Sequence, residues 1–208
     1  MLETLPRVSV TQDVHRFANF SHLPVFAAKK GLMIDEVTDV IAFAPNDVVA
    51  ELMKSPFQRK PLLGNKFGLV SRFSDGEWPV FYAAIGRTTA EKESTHHYAR
   101  KAAGDAAARR GVHYSIVRCR FSGEIIDLRP KLGEWPRLIS DDYTFCNGLG
   151  KEAHDEPVDG FLAPSARNAG GTTVPAFMEG TLSDPLIEAA AKLRFDEGDT
   201  VVEVKELL

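Results

Sequence analysis

The 208-residue chain carries 25 lysines and arginines against 29 aspartates and glutamates, a net charge of −4. That balance excludes a broad basic surface for nucleic acid, yet leaves room for one or two arginines that grip a small phosphate ligand. A content of 44% hydrophobic and 26% charged residues describes an ordinary globular protein, able to build a core without disulfides or metals. The two cysteines, Cys119 and Cys146, fit a reducing cytosol better than a disulfide framework. The opening "MLETLPRVSV" lacks a signal-peptide pattern, and no apolar run approaches the roughly 18–20 residues that span a bilayer. The expectation is a cytoplasmic protein that does not enter a membrane.

In chain order, "VTQDVHRFANFSH" predicts a short first strand around Val10, Val14, His15, Arg16 and Phe17. Val37, Val40, Ile41 and Ala44 recur at helical spacing. Pro45 breaks that helix, and Asn46 or Asp47 caps a second one running to Met53. "FQRKPLLGNKFG" is loop-like. "EWPVFYAAI" reads as a buried strand. A helix over 89–110 follows, with Thr88 and Glu91 in a capping-box pattern, Arg109 and Arg110 suiting the C-terminal dipole, and Gly111 as the stop.

"VHYSIVRCRF" is the next strand. Its alternation slips near Ile116, which predicts a bulge or burial on both faces. "EIIDL" reads as a further short strand, and 130–145 as irregular. "NGLGKEAHDEP" is a poor helix because of its glycines. "VDGFLAPSAR" and "TTVPAFME" are two strands joined at "NAGG". "DPLIEAAAKLRF" predicts a helix, and "DTVVEVKEL" a last strand. The expected architecture is a single α+β domain, in which 1–69 supplies an N-terminal strand and helical segment and 70–208 forms the core.

Residues with chemical potential are spread along the chain. Glu93 and His97 share a helix face, either as a solvated pair or as working groups. Adjacent His96 and His97 point about 100° apart and cannot chelate one metal together, so no metal site is expected. Cys146 and His154 lack any local nucleophile signature. No Walker loop, G-x-S-x-G elbow or G-x-G-x-x-G occurs. "APSARNAGG" could present a serine hydroxyl and backbone groups to a ligand, or be an ordinary hairpin turn.

Two groups of these residues fall in a familiar order. The first is Arg72-Phe73-Ser74-Asp75-Gly76, then an apolar run ending at Tyr82, then Thr89-Ala90-Glu91-Lys92-Glu93. The second is Asp159-Gly160-Phe161-Leu162-Ala163-Pro164-Ser165-Ala166-Arg167, followed by a glycine turn and "TTVPAFME". Across about residues 70–180 this resembles the RES-domain family, the toxin half of bacterial RES–Xre toxin–antitoxin pairs. Ser74 stands where many members carry asparagine. The family's other arginine, on a first strand, is matched here by Arg16 in "VHRF", with Arg59 in "FQRK" as the alternative.

The resemblance implies a fold similar to ADP-ribosyltransferases: a split, strongly bent β core with surrounding helices and NAD, as substrate, in the cleft. It makes 70–208 an NAD-binding core. It implies cleavage of the nicotinamide–ribose bond by phosphorolysis, by hydrolysis or by ADP-ribosyl transfer to a host protein, restrained by an Xre-type antitoxin that covers the pocket. Arg72, helped by Arg16, would hold the diphosphate; Tyr82 would stack on nicotinamide or its ribose. Glu93 would stabilise the oxocarbenium-like transition state, and Ser165 would fix the nicotinamide amide or ribose. The competing expectation is a non-catalytic nucleotide-binding interaction module with the same fold.

Overall fold

The structure, a computed structural model, describes residues 1–18, 49, 57, 70–105, 111–156, 158–196 and 199–206. The helix expected at 37–44, the one expected at 46–53 apart from Val49 (helical and buried), the alternative arginine Arg59, and Arg109 and Arg110 lie outside the described residues. Those described form a mixed sheet of seven strands with two α-helices, in the α+β class expected. The strands are β1 (Arg7–Ala18), β2 (Phe81–Ile85), β3 (Val112–Asp127), β4 (Gly160–Pro164), β5 (Thr172–Ala176), β6 (Leu182–Asp196) and β7 (Asp199–Glu206). Helix α1 (Arg87–Gly104) follows β2, and α2 (Thr144–Asp155) lies between β3 and β4.

β3 organises the sheet. It pairs antiparallel with β1 from Arg7↔Ile126 to Ala18↔Ser115. Its other edge is shared, with β6 along its first part and β4, in parallel, at Ile125–Asp127. β4 pairs with β5, β5 with β2, and β2 touches β1 at His15↔Ala84. The pairings β1–β2–β5–β4–β3–β1 therefore close on themselves, which removes exposed edges from this part of the sheet. β6 and β7 extend from β3 outside the ring. The parallel β3–β4 pair needs a long crossover, and residues 128–159 supply it through two 3-10 turns (Arg129–Lys131 and Pro136–Ile139) and α2.

Side-chain alternation along β3 explains the slip seen in its sequence. Val117, Cys119, Phe121 and Ile125 face the core inside the ring, with Val14, Phe81 and Val174. Ile116 faces the opposite way, into the cluster under α1 with Phe17, Tyr98, Ala102 and Leu193. Ile126 joins a third cluster beneath α2, with Phe73, Leu138, Leu149 and Phe161. The strand is thus buried on both sides, and its pairing with β6 shifts register between Ile116 and Val117 and again between Arg118 and Arg120. "EIIDL" is the end of this same strand rather than a new one.

The helix expected from "DPLIEAAAKLRF" is instead strand β6. Glu188 is passed over in the register, because Ile116 faces Ala189 and Val117 faces Ile187. The bulge flips the alternation there: Ile187 enters the ring core, while Ala189, Ala191 and Leu193 pack under α1. The period of two is erased from the sequence, and three alanines then mimic a helix. Ladders to both β3 and β7 override that local propensity.

Helix α1 also departs from its sequence pattern. It starts two residues earlier, with Gly86 (φ 80) at the N-cap and no side-chain capping bond, so Thr88 and Glu91 do not form the capping box. It ends at Gly104, residues 106–110 of the expected helix lie outside the described residues, and Gly111 (φ 118) immediately precedes β3.

His15 on β1 supplies a pH-dependent term. Burial holds its pKa below the ordinary histidine value, against the opposing pull of Glu188, whose Oε2 lies 3.3 Å from Nε2. As pH falls through about 6.5 the unfolded chain gains the proton first, so this group's share of stability is lost on acidification. Urea unfolding at pH 7.5 and 5.5 should show the parent losing stability with a steeper dependence than His15→Gln. Equal slopes would contradict this assignment.

Candidate functional site

A cavity of about 440 Å³ opens between α1, β1, β2 and the segment from Val70 to Val80. That is within the usual size of a small-molecule site. α1 contributes Ala90, Glu93, Ser94, His97, Tyr98 and Lys101, one helix face at successive i+3 and i+4 steps. β1 contributes His15, Arg16 and Phe17; β2 contributes Tyr82, Ala83 and Ala84.

Glu93 is buried on α1, with 7% of its surface exposed. Its Oε1 accepts the Ser165 hydroxyl at 2.6 Å and the Ala166 backbone N–H at 3.1 Å. A short O–H···O⁻ bond of this kind is charge-assisted and strongly orienting. The Ser165 hydroxyl in turn accepts the N–H groups of Arg167 and Asn168, at 3.2 and 3.0 Å. Ser165 is therefore fully engaged as the support of Glu93 and is not among the cavity-lining residues.

The turn carrying Ser165 is itself fastened to α1. Asn168 donates to Thr89 Oγ1 at 2.8 Å and accepts from Lys92 at 3.0 Å. A Cβ on Gly171 would come within 2.7 Å of Thr89 Oγ1, so only glycine lets the two elements approach this closely. Positions 72 residues apart are thus held together by the β4–β5 hairpin and the first turns of α1. Ser165→Ala removes a buried hydrogen bond to a carboxylate and strands two backbone donors. It should lower unfolding free energy by about 1.5–3 kcal/mol in urea titrations; an unchanged midpoint would mean the bond contributes nothing.

Arg72 lines the same cavity while remaining almost wholly buried. Its Nη1 donates to the carbonyls of Leu138 and Ser140 at 3.2 and 2.5 Å, and the guanidinium lies over the Tyr143 ring at 4.8 Å. The turn around it is rigid. Ser74 Oγ donates to the Trp78 carbonyl and accepts from Gly76 N–H, while Trp78 Nε1 donates to the Phe73 carbonyl. Ser74 thus acts as the internal brace of this turn.

Tyr82 packs against Phe73, with ring centroids 6.5 Å apart. Burial first, and then the Glu93 carboxylate, push its phenol well above the ordinary tyrosine range, while Arg72 and a hydrogen bond with Thr173 pull the other way. The phenol therefore stays protonated, within electrostatic reach of both Glu93 and Arg72. Arg16 donates to the Tyr82 carbonyl at 3.3 Å and lies over the Phe81 ring at 4.7 Å. Arg72, Glu93, Tyr82 and Arg16 all border one space, with Ser165 bonded to Glu93 from outside it.

Other candidates separate from this site. Cys146 is fully buried, near the carbonyls of Arg137 and Leu138, and burial raises its thiol pKa. His154 stacks on Trp78 at 5.5 Å, and eight residues of helix, about 12 Å, separate it from Cys146. The two do not form a nucleophile and base. His96 and His97 meet edge to face at 5.8 Å, and no group of three potential metal ligands occurs among the described residues. His97 borders the cavity, and burial there pulls its pKa down.

Sequence reasoning missed Lys101, Ser94, His15 and Tyr114 as lining residues. The α1 members were legible as the i+4 and i+8 companions of Ala90 and Glu93. The strand members carry no local signal.

No curated protein matches the chain. Among solved structures it is similar to the crystal structure of the M. tuberculosis MbcT–MbcA toxin–antitoxin complex, at 14% identity and a TM-score of 0.50, covering 90% of this chain and 87% of that one. At that identity the likeness concerns the fold. No helix among the described residues is long and apolar enough to cross a membrane. The RES domain profile matches residues 48–196. With well over half of its length so matched, and with Arg72, Glu93 and Ser165 inside the matched span, the chain belongs to the RES domain family.

Proposed function

We propose that this protein is the toxin of a toxin–antitoxin pair and cleaves the nicotinamide–ribose bond of NAD in the cavity bordered by Glu93. The observation that carries the reading is the buried carboxylate of Glu93 at the cavity wall, aimed by the hydroxyl of Ser165 and the N–H of Ala166. The ring of strands, whose β1 and β2 border that cavity, is read as an ADP-ribosyltransferase-like core. The similarity in fold to the toxin of a toxin–antitoxin complex supports the pairing. The partner is an Xre-type antitoxin that covers the cavity, and the pair acts in the cytoplasm.

In the reaction the bond from ribose C1′ to the pyridinium nitrogen breaks and its electron pair stays on nitrogen. Nicotinamide leaves neutral, so no strong general acid is required. Positive charge develops at C1′ and the ring oxygen, as in glycoside cleavage. Glu93 supplies the opposing charge from a position fixed before substrate arrives. Tyr82 presents a ring face to nicotinamide or the ribose. Arg72 and Arg16 carry positive charge toward the diphosphate. Ser165 contributes by holding Glu93 in its productive orientation.

Three acceptors complete the reaction in chemically distinct ways. Water gives ADP-ribose, phosphate gives ADP-ribose 1″-phosphate, and a protein side chain gives a modified protein heavier by one ADP-ribose. Antitoxin-free protein incubated with NAD, alone, with phosphate, or with host lysate, distinguishes them by chromatography and intact mass. NAD that binds but persists in all three would support a non-catalytic nucleotide-binding module instead.

A further inference from the structure

From the course of α1 along the cavity, we infer that Lys101 is the outer cation for the diphosphate and sets affinity for the dinucleotide. The inference rests on the NAD reading above and adds a residue to it. Glu93, His97 and Lys101 are spaced i, i+4, i+8 on one helix face, and all three border the cavity. Eight residues place the Lys101 Cα about 12 Å further along the axis than that of Glu93. Helical side chains lean back toward the N-terminus, so the ammonium group lies over the preceding turn, nearer the carboxylate than its Cα is.

The cavity is therefore charged in a fixed order: a carboxylate at the inner end and an ammonium group toward the outer end. A pyridine dinucleotide has the same order with opposite signs. Its scissile C1′ becomes positive, and the diphosphate lies one ribose away. Placing C1′ at Glu93 sends the diphosphate along α1 toward Lys101, with Arg16 of β1 on the same cavity wall.

The state of the two inner cations adds to the argument. Arg72 already holds two carbonyls through Nη1, and Arg16 holds the Tyr82 carbonyl. Lys101 is exposed and makes no ion pair among the described residues, and its ammonium group brings three donors to a ligand. A basic residue in the last turn also suits the helix dipole. That role predicts an effect on stability and none on affinity.

ADP-ribose is the probe, because it keeps the diphosphate and is not consumed. Its binding to purified, antitoxin-free protein is measured by titration calorimetry for the parent, Lys101→Met and Lys101→Arg, alongside each protein's Tm. The expected result is a Kd weaker by about tenfold or more in Lys101→Met, the worth of one charged hydrogen bond. Lys101→Arg should stay within about threefold of the parent, and the Tm of Lys101→Met should not change. A Kd in Lys101→Met equal to the parent's overturns the inference, as does a parent that fails to bind ADP-ribose. Nicotinamide release by the parent, measured separately, decides the NAD reading whichever way the lysine result falls.

Discussion

Glu93→Gln should slow nicotinamide release by about 10²–10³-fold, equivalent to about 3–4 kcal/mol in the barrier. Glutamine keeps the length of the side chain. Its carbonyl oxygen can still accept the Ser165 hydroxyl and the Ala166 N–H that now meet Oε1. What disappears is the negative charge facing the cavity, which is worth most when the positive charge of the pyridinium ring moves onto C1′ in the transition state. The loss should therefore fall on kcat, with KM for NAD within a few-fold of the parent. Growth inhibition on expression should be relieved in parallel. A glutamine variant as active and as toxic as the parent would remove Glu93 from the chemistry.

The largest effect on stability should come from Gly150→Ala. A Cβ on this α2 residue would fall inside the carbonyl oxygen of Phe73, with the carbonyl carbon 2.8 Å and Cα 3.2 Å away. These are backbone atoms of the turn that carries Arg72, and that turn is pinned by Ser74 and Trp78. Neither side can yield cheaply, so the cost should lie near the upper end of overpacking, about 3 kcal/mol. For a chain of this length that lowers Tm by about 6–12 °C. Gly148, two residues away in the same helix, is the control: nothing lies within 4 Å of its would-be Cβ. Gly148→Ala should stabilise the protein by about 0.5–1 kcal/mol. Equal behaviour of the two variants in thermal unfolding would refute the close approach.

The same glycine shows what a single sequence reveals and what it conceals. "NGLGKEAHDEP" reads as a poor helix because glycine disfavours helices, yet tertiary packing requires glycine at 150. β6 was concealed for a different reason. The bulge at Glu188 scrambles its alternation, and three alanines carry the strongest helix signal available. Elements with an unbroken pattern were legible: β1, β2, the β4–β5 hairpin and β7 stand where their residues indicated.

For the site, types and order were legible but distances were not. Nothing local says that the carboxylate at 93 and the hydroxyl at 165 touch; that follows from how the hairpin turn packs on α1 through Asn168, Thr89 and Gly171. Nor could the sequence divide the work of the arginines. Only the fold reveals that Arg72 braces the 138–140 carbonyls while bordering the cavity.

The most direct test of the central claim is nicotinamide formation from NAD by purified, folded, antitoxin-free protein, followed by chromatography with water, phosphate and host proteins as acceptors. The account predicts that free nicotinamide accumulates in at least one of these mixtures and that Glu93→Gln, equally folded, produces almost none. NAD that stays intact in all three mixtures would contradict it.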